Sequence, residues 1–532
     1  MVKVCFKMSL FCFALCFTLL CEAKVKLPVL ISDGMVLQRE QRIQVWGWAD
    51  AGEPVTVSFL KRKYTVQAGA DGNWSVTLQP ARAGGPYTMR INDIEVGNIL
   101  VGDVYLCSGQ SNMELPVSRV TDMFRDEVAA YSNPMIRHFK APLRYDFHGP
   151  LEDMDPASWK ELNPEDALQF SALAYFFARE MYEKNGIPVG LINSAVGGSP
   201  VEAWISEEGL KPFPKYLSDR ELYRSDELVA SIRATDNMQR NRWNEVLYQS
   251  DAGLNESVRW FEPAYDDSDW QTVDLFDTSW NNNGLNPVNG SHWFRKEVDI
   301  PAAQAGKAAV LRLGCIVNAD SVYVNGTFAG TVSYQYPPRI YPLPGGLLKA
   351  GGNTVTVRLI SYGGYPHFVP EKPYRIVFDS GEVSLEGRWK YRLGAAMPAL
   401  SGGTTFQYKP IGLYNAMIAP LRHYALRGAI WYQGESNTGR HNEYYDLLTA
   451  LIADWRAKLD APALPFVIVE LAGFGNPDGW DVFRQVQRRV AGDVPNAAFA
   501  PAKDLGEWND IHPLNKKEVG IRVAARMEKL IK

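Results

Sequence analysis

At 532 residues the chain exceeds the size at which one hydrophobic core keeps growing, so about two to four domains are expected, and 46% apolar content can fill them. A formal net charge of −5 offers no basic surface for nucleic acid or anionic lipid. Aromatic residues reach 12% of the chain, with 15 Trp; such flat apolar faces serve sugar-handling proteins and ordinary cores alike.

Residues 1–23 carry Lys3 and Lys7, an apolar stretch from Met8 to Leu20, and then Cys21-Glu22-Ala23. This is the pattern of a secretory signal peptide cleaved after Ala23, and its uncharged stretch is too short to span a bilayer comfortably. Export to the periplasm or the medium is therefore expected, with no membrane span after cleavage. Removal of the signal takes Cys5, Cys12, Cys16 and Cys21 with it. Cys107 and Cys315 remain, in different predicted domains, and are expected to be buried free thiols rather than a disulfide.

Residues 24–99 show short alternating runs such as Ile43-Gln44-Val45-Trp46, separated by turn signals at Asp71-Gly72 and Gly84-Gly85-Pro86, which predicts a small N-terminal β-domain. Over 100–245 the character changes: an apolar strand runs into Ser108-Gly109-Gln110-Ser111, followed by a predicted helix at 167–183 and a short buried strand at 187–192. Strand and helix alternate again over 391–532, with strands at 428–432, 466–471 and 497–500 and helices at 443–459 and 481–491. Between these halves, 246–390 reads as all β, with turns at Asn325-Gly326 and Gly351-Gly352-Asn353. The pattern predicts an α/β domain split by a β-sandwich insertion, a tolerated route to such an architecture.

Three polar stretches fall where apolar strands end or in the loop after the last one, the usual place for ligand sites in open α/β sheets. They are Gly109-Gln110-Ser111-Asn112-Met113, Tyr432-Gln433-Gly434-Glu435-Ser436-Asn437 and Asp510-Ile511-His512-Pro513. A serine hydroxyl becomes a useful nucleophile only with a neighbouring base, and His512 is the leading candidate. Asp510 lies two residues earlier, so in an extended segment both side chains point to one side, about 7 Å apart along the chain. A bend there brings the carboxylate toward Nδ1 and leaves Nε2 to face Ser111. Taken singly, each stretch also has a plain structural reading: a turn serine, a solvated D-x-H loop, polar residues that close a strand. The seven His show no paired metal-ligand spacing, and the G-x-S-x-G elbow is absent because Met113 stands at its second glycine.

In combination and in order, and with Gly197-Gly198-Ser199 and Val201-Glu202-Ala203-Trp204 between them, these stretches resemble the sialate O-acetylesterase branch of the SGNH hydrolases. The resemblance covers residues 101 to about 236 and about 388 to the end, where D-I-H-P-x-x-K closes at Lys516. It implies a three-layer α/β/α flavodoxin-like hydrolase domain, Ser111 as nucleophile and His512 as its base, without metal or cofactor. It further implies an oxyanion hole from the Ser111 N–H, a backbone N–H of the Gly197-Gly198 turn, chiefly that of Gly198, and the Gln433 amide. Gln110, Asn112, Gly197, Glu435, Asn437 and Asp504 are the expected lining residues. Many SGNH enzymes use an Asn where Gln433 stands and D-x-x-H where Asn509 precedes His512 by three. Asp510 is therefore ranked first for orienting His512, with Asp504 and Glu435 as rivals.

The insertion resembles the jelly rolls attached to glycosidases, through Trp293-Phe294-Arg295-Lys296, Val322-Tyr323-Val324-Asn325-Gly326 and residues 348–353; its Trp residues are expected mainly to fill its own core. The implied partner is an O-acetylated carbohydrate, sialic acid first and an acetylated plant polysaccharide such as xyloglucan or xylan second. A non-catalytic glycan-binding protein is the alternative of another class, opposed by the joint presence of Ser111, His512 and Gln433. Arg119, Arg427 and Arg440 are near the motifs in sequence as cations for a sugar carboxylate.

Overall fold

The computed structural model describes residues 25–281, 288–475 and 478–532. The expected signal segment lies outside the described residues. The organising element is the strand Ile94–Gly109, whose last residues, Leu100 to Gly109, are all buried. A strand covered on both faces reads as an almost unbroken apolar run, as this one does. Its C-terminal half lies in a parallel sheet with spatial order Ala497–Ala500, Phe466–Val469, Gly428–Tyr432, Ile94–Gly109, Val189–Ala195 and Asn133–Lys140, with antiparallel Trp159–Leu162 at the edge. Chain order reverses between Ile94–Gly109 and Gly428–Tyr432, so the crevice at their carboxyl ends is the topological switch point where such sheets bind ligands.

Helices cover both faces. On one, Ala172–Asn185 packs with Lys516–Ile531 through Phe177, Met181, Val519 and Met527; on the other, His441–Lys458 and Trp480–Asp493 bring Leu451, Trp455, Phe483 and Val490. The helix predicted from residue 167 starts later. Asn163 caps a separate turn, Pro164–Ala167, and the chain bends before the Ser171 hydroxyl accepts from the Ala174 N–H (3.2 Å) to restart it. Gly186, at φ +64°, ends it in the left-handed conformation.

The predicted boundary at 99/100 falls inside one strand. Asn98, at φ +55°, kinks Ile94–Gly109 without ending it. Val36–Gln38 and Gly84–Ile91 pair with it directly, and Pro54–Phe59 and Arg62–Gln67 extend the central sheet from there, while Ile43–Trp48 and Asn73–Leu78 pair with each other in a separate sheet. The boundary at 245/246 likewise falls inside a helix, Asp226–Ser250, which starts on the Ser225 side chain and is mostly exposed. Among the described residues no helix is long and apolar enough to cross a membrane.

The intervening segment forms two main antiparallel sheets, beside the two-stranded pairing of Ile316–Val317 with His367–Phe368. A six-stranded one runs in the order Gln271–Asp274, Arg388–Met397, Asn289–Ile300, Gly351–Ser361, Ala319–Val324, Thr327–Val332, and a four-stranded one in the order Ile340–Leu343, Ala309–Leu313, Tyr374–Phe378, Gly381–Ser384. Both contribute to one core containing Phe294, Leu311, Val357 and Ile376. Asn325 and Gly326, at φ +49° and +81°, make the tight hairpin turn that their sequence signals. Trp260, Trp270, Trp280, Trp293 and Trp389 are all buried. Cys107 and Cys315 are buried free thiols in separate parts of the chain.

Candidate active site

The glycine before the Ser111 loop is there for space. Gly109 has φ +136°, and a Cβ on it would overlap the carbonyl oxygen of Tyr432 on the adjacent strand. The chain can therefore pass close to its neighbour, with the Gln110 N–H donating to Tyr432 O (3.0 Å), and turn directly into the short helix Ser111–Glu114. Ser111 stands half-buried at its first position. Across the crevice, His512 Nε2 lies 2.8 Å from Ser111 Oγ. Two residues separated by 401 positions meet because one follows the central strand and the other follows the edge strand Ala497–Ala500.

Asn112 holds the two loops together. Its Nδ2 donates to Ile511 O (3.0 Å) and to Glu435 Oε1 (2.6 Å), while its Oδ1 accepts from Lys516 Nζ (2.8 Å). Lys516 also donates to Pro513 O (2.7 Å). The residue beside Ser111 thus grips the chain on both sides of His512. Lys516 is fully buried, and that burial pushes its ammonium down to about 8 against the pull of Asp510, Glu435 and Glu507. Burial, followed by the charges of Lys516 and Arg119, pushes the His512 imidazole down to about 3. The Glu435 carboxyl is pushed up by its burial, and its Oε2 is buried without a partner among the described residues.

Of the three carboxylates proposed to orient His512, Asp510 is beside it. Asp510 Oδ1 accepts from the His512 backbone N–H (2.8 Å) and stands 3.8 Å from Nδ1, too far for a hydrogen bond, and Nδ1 is buried without a partner among the described residues. Its other oxygen, Oδ2, accepts from Lys372 (3.2 Å), a residue of the loop leading into Tyr374–Phe378 that also donates to Glu507 (2.7 Å). Asp504 is exposed and paired with Arg522 (2.6 Å), away from His512. Glu435 serves Asn112.

Of the expected oxyanion donors the Gln433 amide already has acceptors, as does the neighbouring Gly197 N–H. The Gln433 amide donates to Asn437 Oδ1 (2.7 Å) and Ser199 O (3.2 Å), and its Oε1 accepts from Tyr444 (2.8 Å), so its longer side chain is engaged in bracing loops. The Gly197 N–H donates to Glu114 Oε2 (2.6 Å). The Ser111 and Gly198 N–H groups have no acceptor among the described residues. Gly198, at φ +74°, lies so close to the Tyr408 hydroxyl that a Cβ would overlap it.

Gln110 and Asn437 brace the crevice from below. Gln110 Oε1 accepts from Gly434 N–H (3.1 Å), and Asn437 ties Gln433 to the Val201 N–H (3.0 Å) and to Glu202 (3.1 Å). Of the three arginines, only Arg119 is near His512. Arg440 is bound to Glu202 (2.7 Å), and Arg427 sits at the opposite end of the central strand, near Asp103 (3.9 Å). Glu114, Tyr336 and Lys372 at the site were not among the expected residues. The Tyr336 ring meets the His512 ring edge-on, with centroids 4.8 Å apart.

The sequence pattern of the carbohydrate esterase, sialic acid-specific acetylesterase family matches residues 101–250 and 392–529. The chain belongs to this family. Its matched segments contain Ser111, Gly198, Gln433 and His512, whereas Tyr336 and Lys372 come from the interval between them. Sialate O-acetylesterase of Rattus norvegicus is 32% identical over 205 residues, 34% of this chain and 37% of its own length. That of Homo sapiens is 34% identical over 206 residues, 34% of this chain and 39% of its own. The match thus spans less than two fifths of these relatives. A carbohydrate acetylesterase from Xanthomonas citri shares the fold, with a TM-score of 0.57 and 24% identity over 96% of this chain and 75% of that one.

Proposed function

We propose that the chain is a secreted carbohydrate esterase that removes O-acetyl groups from sugars, with Ser111 as nucleophile and His512 as general base. The observation that carries this reading is the 2.8 Å approach of His512 Nε2 to Ser111 Oγ at the switch point of the sheet. Family membership supports the ester class and the acetyl group.

Ser111 Oγ attacks the acetyl carbonyl carbon as its proton passes to His512 Nε2. The resulting oxyanion is received by the backbone N–H groups of Ser111 and Gly198, the two donors left without acceptors. On collapse, the C–O bond to the sugar breaks, and His512 returns the proton to the departing sugar oxygen. Water, deprotonated in turn by His512, then hydrolyses the acetyl-serine to acetate. Asp510 orients the imidazole through its backbone. Closure of the 3.8 Å gap to Nδ1 as the imidazolium forms supplies the pull that a buried imidazole lacks.

The architecture we assign is an SGNH hydrolase domain interrupted by a jelly-roll insertion. An O-acetylated sialic acid is the first substrate, in line with the family and with the names of the relatives. The test is acetate release from O-acetylated sialic acid and from acetylated xyloglucan, in parallel, by the wild type and by Ser111→Ala. Release from sialic acid that falls at least about a thousandfold in Ser111→Ala is the expected result. Release from xyloglucan alone keeps the mechanism and moves the substrate. Release from neither overturns the esterase reading.

A further inference from the structure

Trp260, Trp270, Trp280, Trp293 and Trp389 of the insertion are buried, and one of its loops reaches the crevice. Residues 333–339, Ser-Tyr-Gln-Tyr-Pro-Pro-Arg, join Thr327–Val332 to Ile340–Leu343. Tyr336 sits against His512 and remains 37% exposed; Tyr334 is 52% exposed. Their rings stand 80° apart with centroids at 6.1 Å, which makes a corner of two aromatic faces open to solvent.

That corner is held rigidly. Arg339, fully buried and paired with Asp320 (2.7 Å), donates through Nη1 to Pro337 O (2.7 Å) and Gln335 O (3.2 Å). Its Nη2 donates to Ile316 O (2.8 Å) and Asn318 O (2.9 Å), fastening the loop to the sheet beneath. Tyr336 O accepts from Arg119 Nη2 (3.1 Å), which ties the loop to the segment following Ser111. The two prolines stiffen the remainder. The successive carbonyls of Gln335, Tyr336 and Pro337 are therefore held, and the Tyr336 ring loses little freedom when a ligand arrives. Opposite them, Tyr408 closes the crevice over Gly198; burial first, then Glu114, Tyr336 and Tyr334, push its phenol up.

We infer that Tyr334 and Tyr336 form the subsite for the pyranose ring that bears the scissile acetyl group, its apolar face lying on the aromatic corner while the ester reaches Ser111. An aromatic side chain with an apolar face and a polar tip suits a ring that has C–H groups on its faces and hydroxyls at its edge. This inference rests on the esterase reading and deepens it. The insertion, in this view, is part of the substrate site and no detached module. Tyr334 and Tyr336 lie outside the family-matched segments, so the sugar they select is a property of this chain's insertion.

The experiment compares kcat/KM for an O-acetylated glycan with that for ethyl acetate, which has no ring to stack, in the wild type, Tyr334→Ala and Tyr334→Phe. The expected result is that Tyr334→Ala lowers the glycan-to-ethyl acetate ratio about tenfold, chiefly through KM, and that Tyr334→Phe restores it. Equal losses on both esters, or an unchanged ratio, overturn the inference. Calorimetric titration of the deacetylated sugar into Ser111→Ala, with and without Tyr334→Ala, reads the subsite without turnover. If the wild type cleaves neither ester, the esterase reading fails on its own. The subsite then stands if Tyr334→Ala weakens sugar binding, and falls if binding is absent or unaffected.

Discussion

A histidine that takes a proton from a serine must itself be neutral, and His512 is kept so by burial and by the charges of Lys516 and Arg119. Its folded-state pKa lies below the ordinary 6.5, so the unfolded chain takes up a proton that the folded one refuses. The stability it contributes is full above about 6.5 and declines as pH falls toward about 3. The acid limb of kcat/KM is expected well below pH 6.5; a limb at or above the ordinary histidine value would contradict this arrangement. Lys516→Met removes a neighbouring positive charge and leaves Asn112 Oδ1 without its donor. The limb should then move upward and kcat fall about ten- to a hundredfold, because the loop carrying His512 loses its grip on the loop carrying Ser111. A pH-rate profile of the variant checks both effects, and a lower kcat with an unmoved limb would make Lys516 purely structural.

Elements were legible wherever apolar periodicity and turn chemistry agreed. The strand Gly428–Tyr432 and the Asn325-Gly326 hairpin emerge where the pattern puts them. The restart at Ser171 was hidden, since Ala167 through Phe177 are apolar apart from Gln169 and Ser171 and keep a helical pattern across the bend before Ala172. The full length of Ile94–Gly109 was hidden as well, because Asn98 in the left-handed region reads as a stop and acts as a kink. Gly109 shows what one position can carry: its φ of +136° and its closeness to Tyr432 leave no room for a side chain. Gly109→Ala should destabilise the protein by about 2 kcal/mol or more, and Gly149→Ala, in open space, should change stability by less than about 0.5 kcal/mol. Denaturant melts of the two variants measure the difference, and equal midpoints would refute the packing argument.

At the scale of the molecule, the crevice that holds Ser111 and His512 is completed across the chain. Besides Tyr336 and Lys372, the insertion sends Glu371 to the indole of Trp508 (2.8 Å), the Pro370 carbonyl to Asn509 (2.7 Å) and Arg312 to Asp122. Ser111 and His512 were visible in the sequence because each sits in a compact motif. Lys372 and Tyr336 were not, since no local pattern marks a contact between residues more than a hundred positions apart. Gln433 was visible, but its engagement with Asn437, Ser199 and Tyr444 was not, because only the surrounding loops reveal it. The thiols were read correctly from their placement alone. Buried, with Cys315 pushed up to about 11 and Cys107 higher still, neither should react with a thiol reagent at pH 8 until the fold is opened by denaturant; rapid labelling of the native protein at either residue would show the core to be looser than described.

The most direct measurement of the central claim is the intact mass of the protein after reaction with a fluorophosphonate, followed by mapping of the modified residue. The expected result is a single adduct on Ser111, absent from Ser111→Ala and formed far more slowly in His512→Ala. An adduct on another residue, or none while acetate release persists in Ser111→Ala, would contradict the Ser111–His512 mechanism.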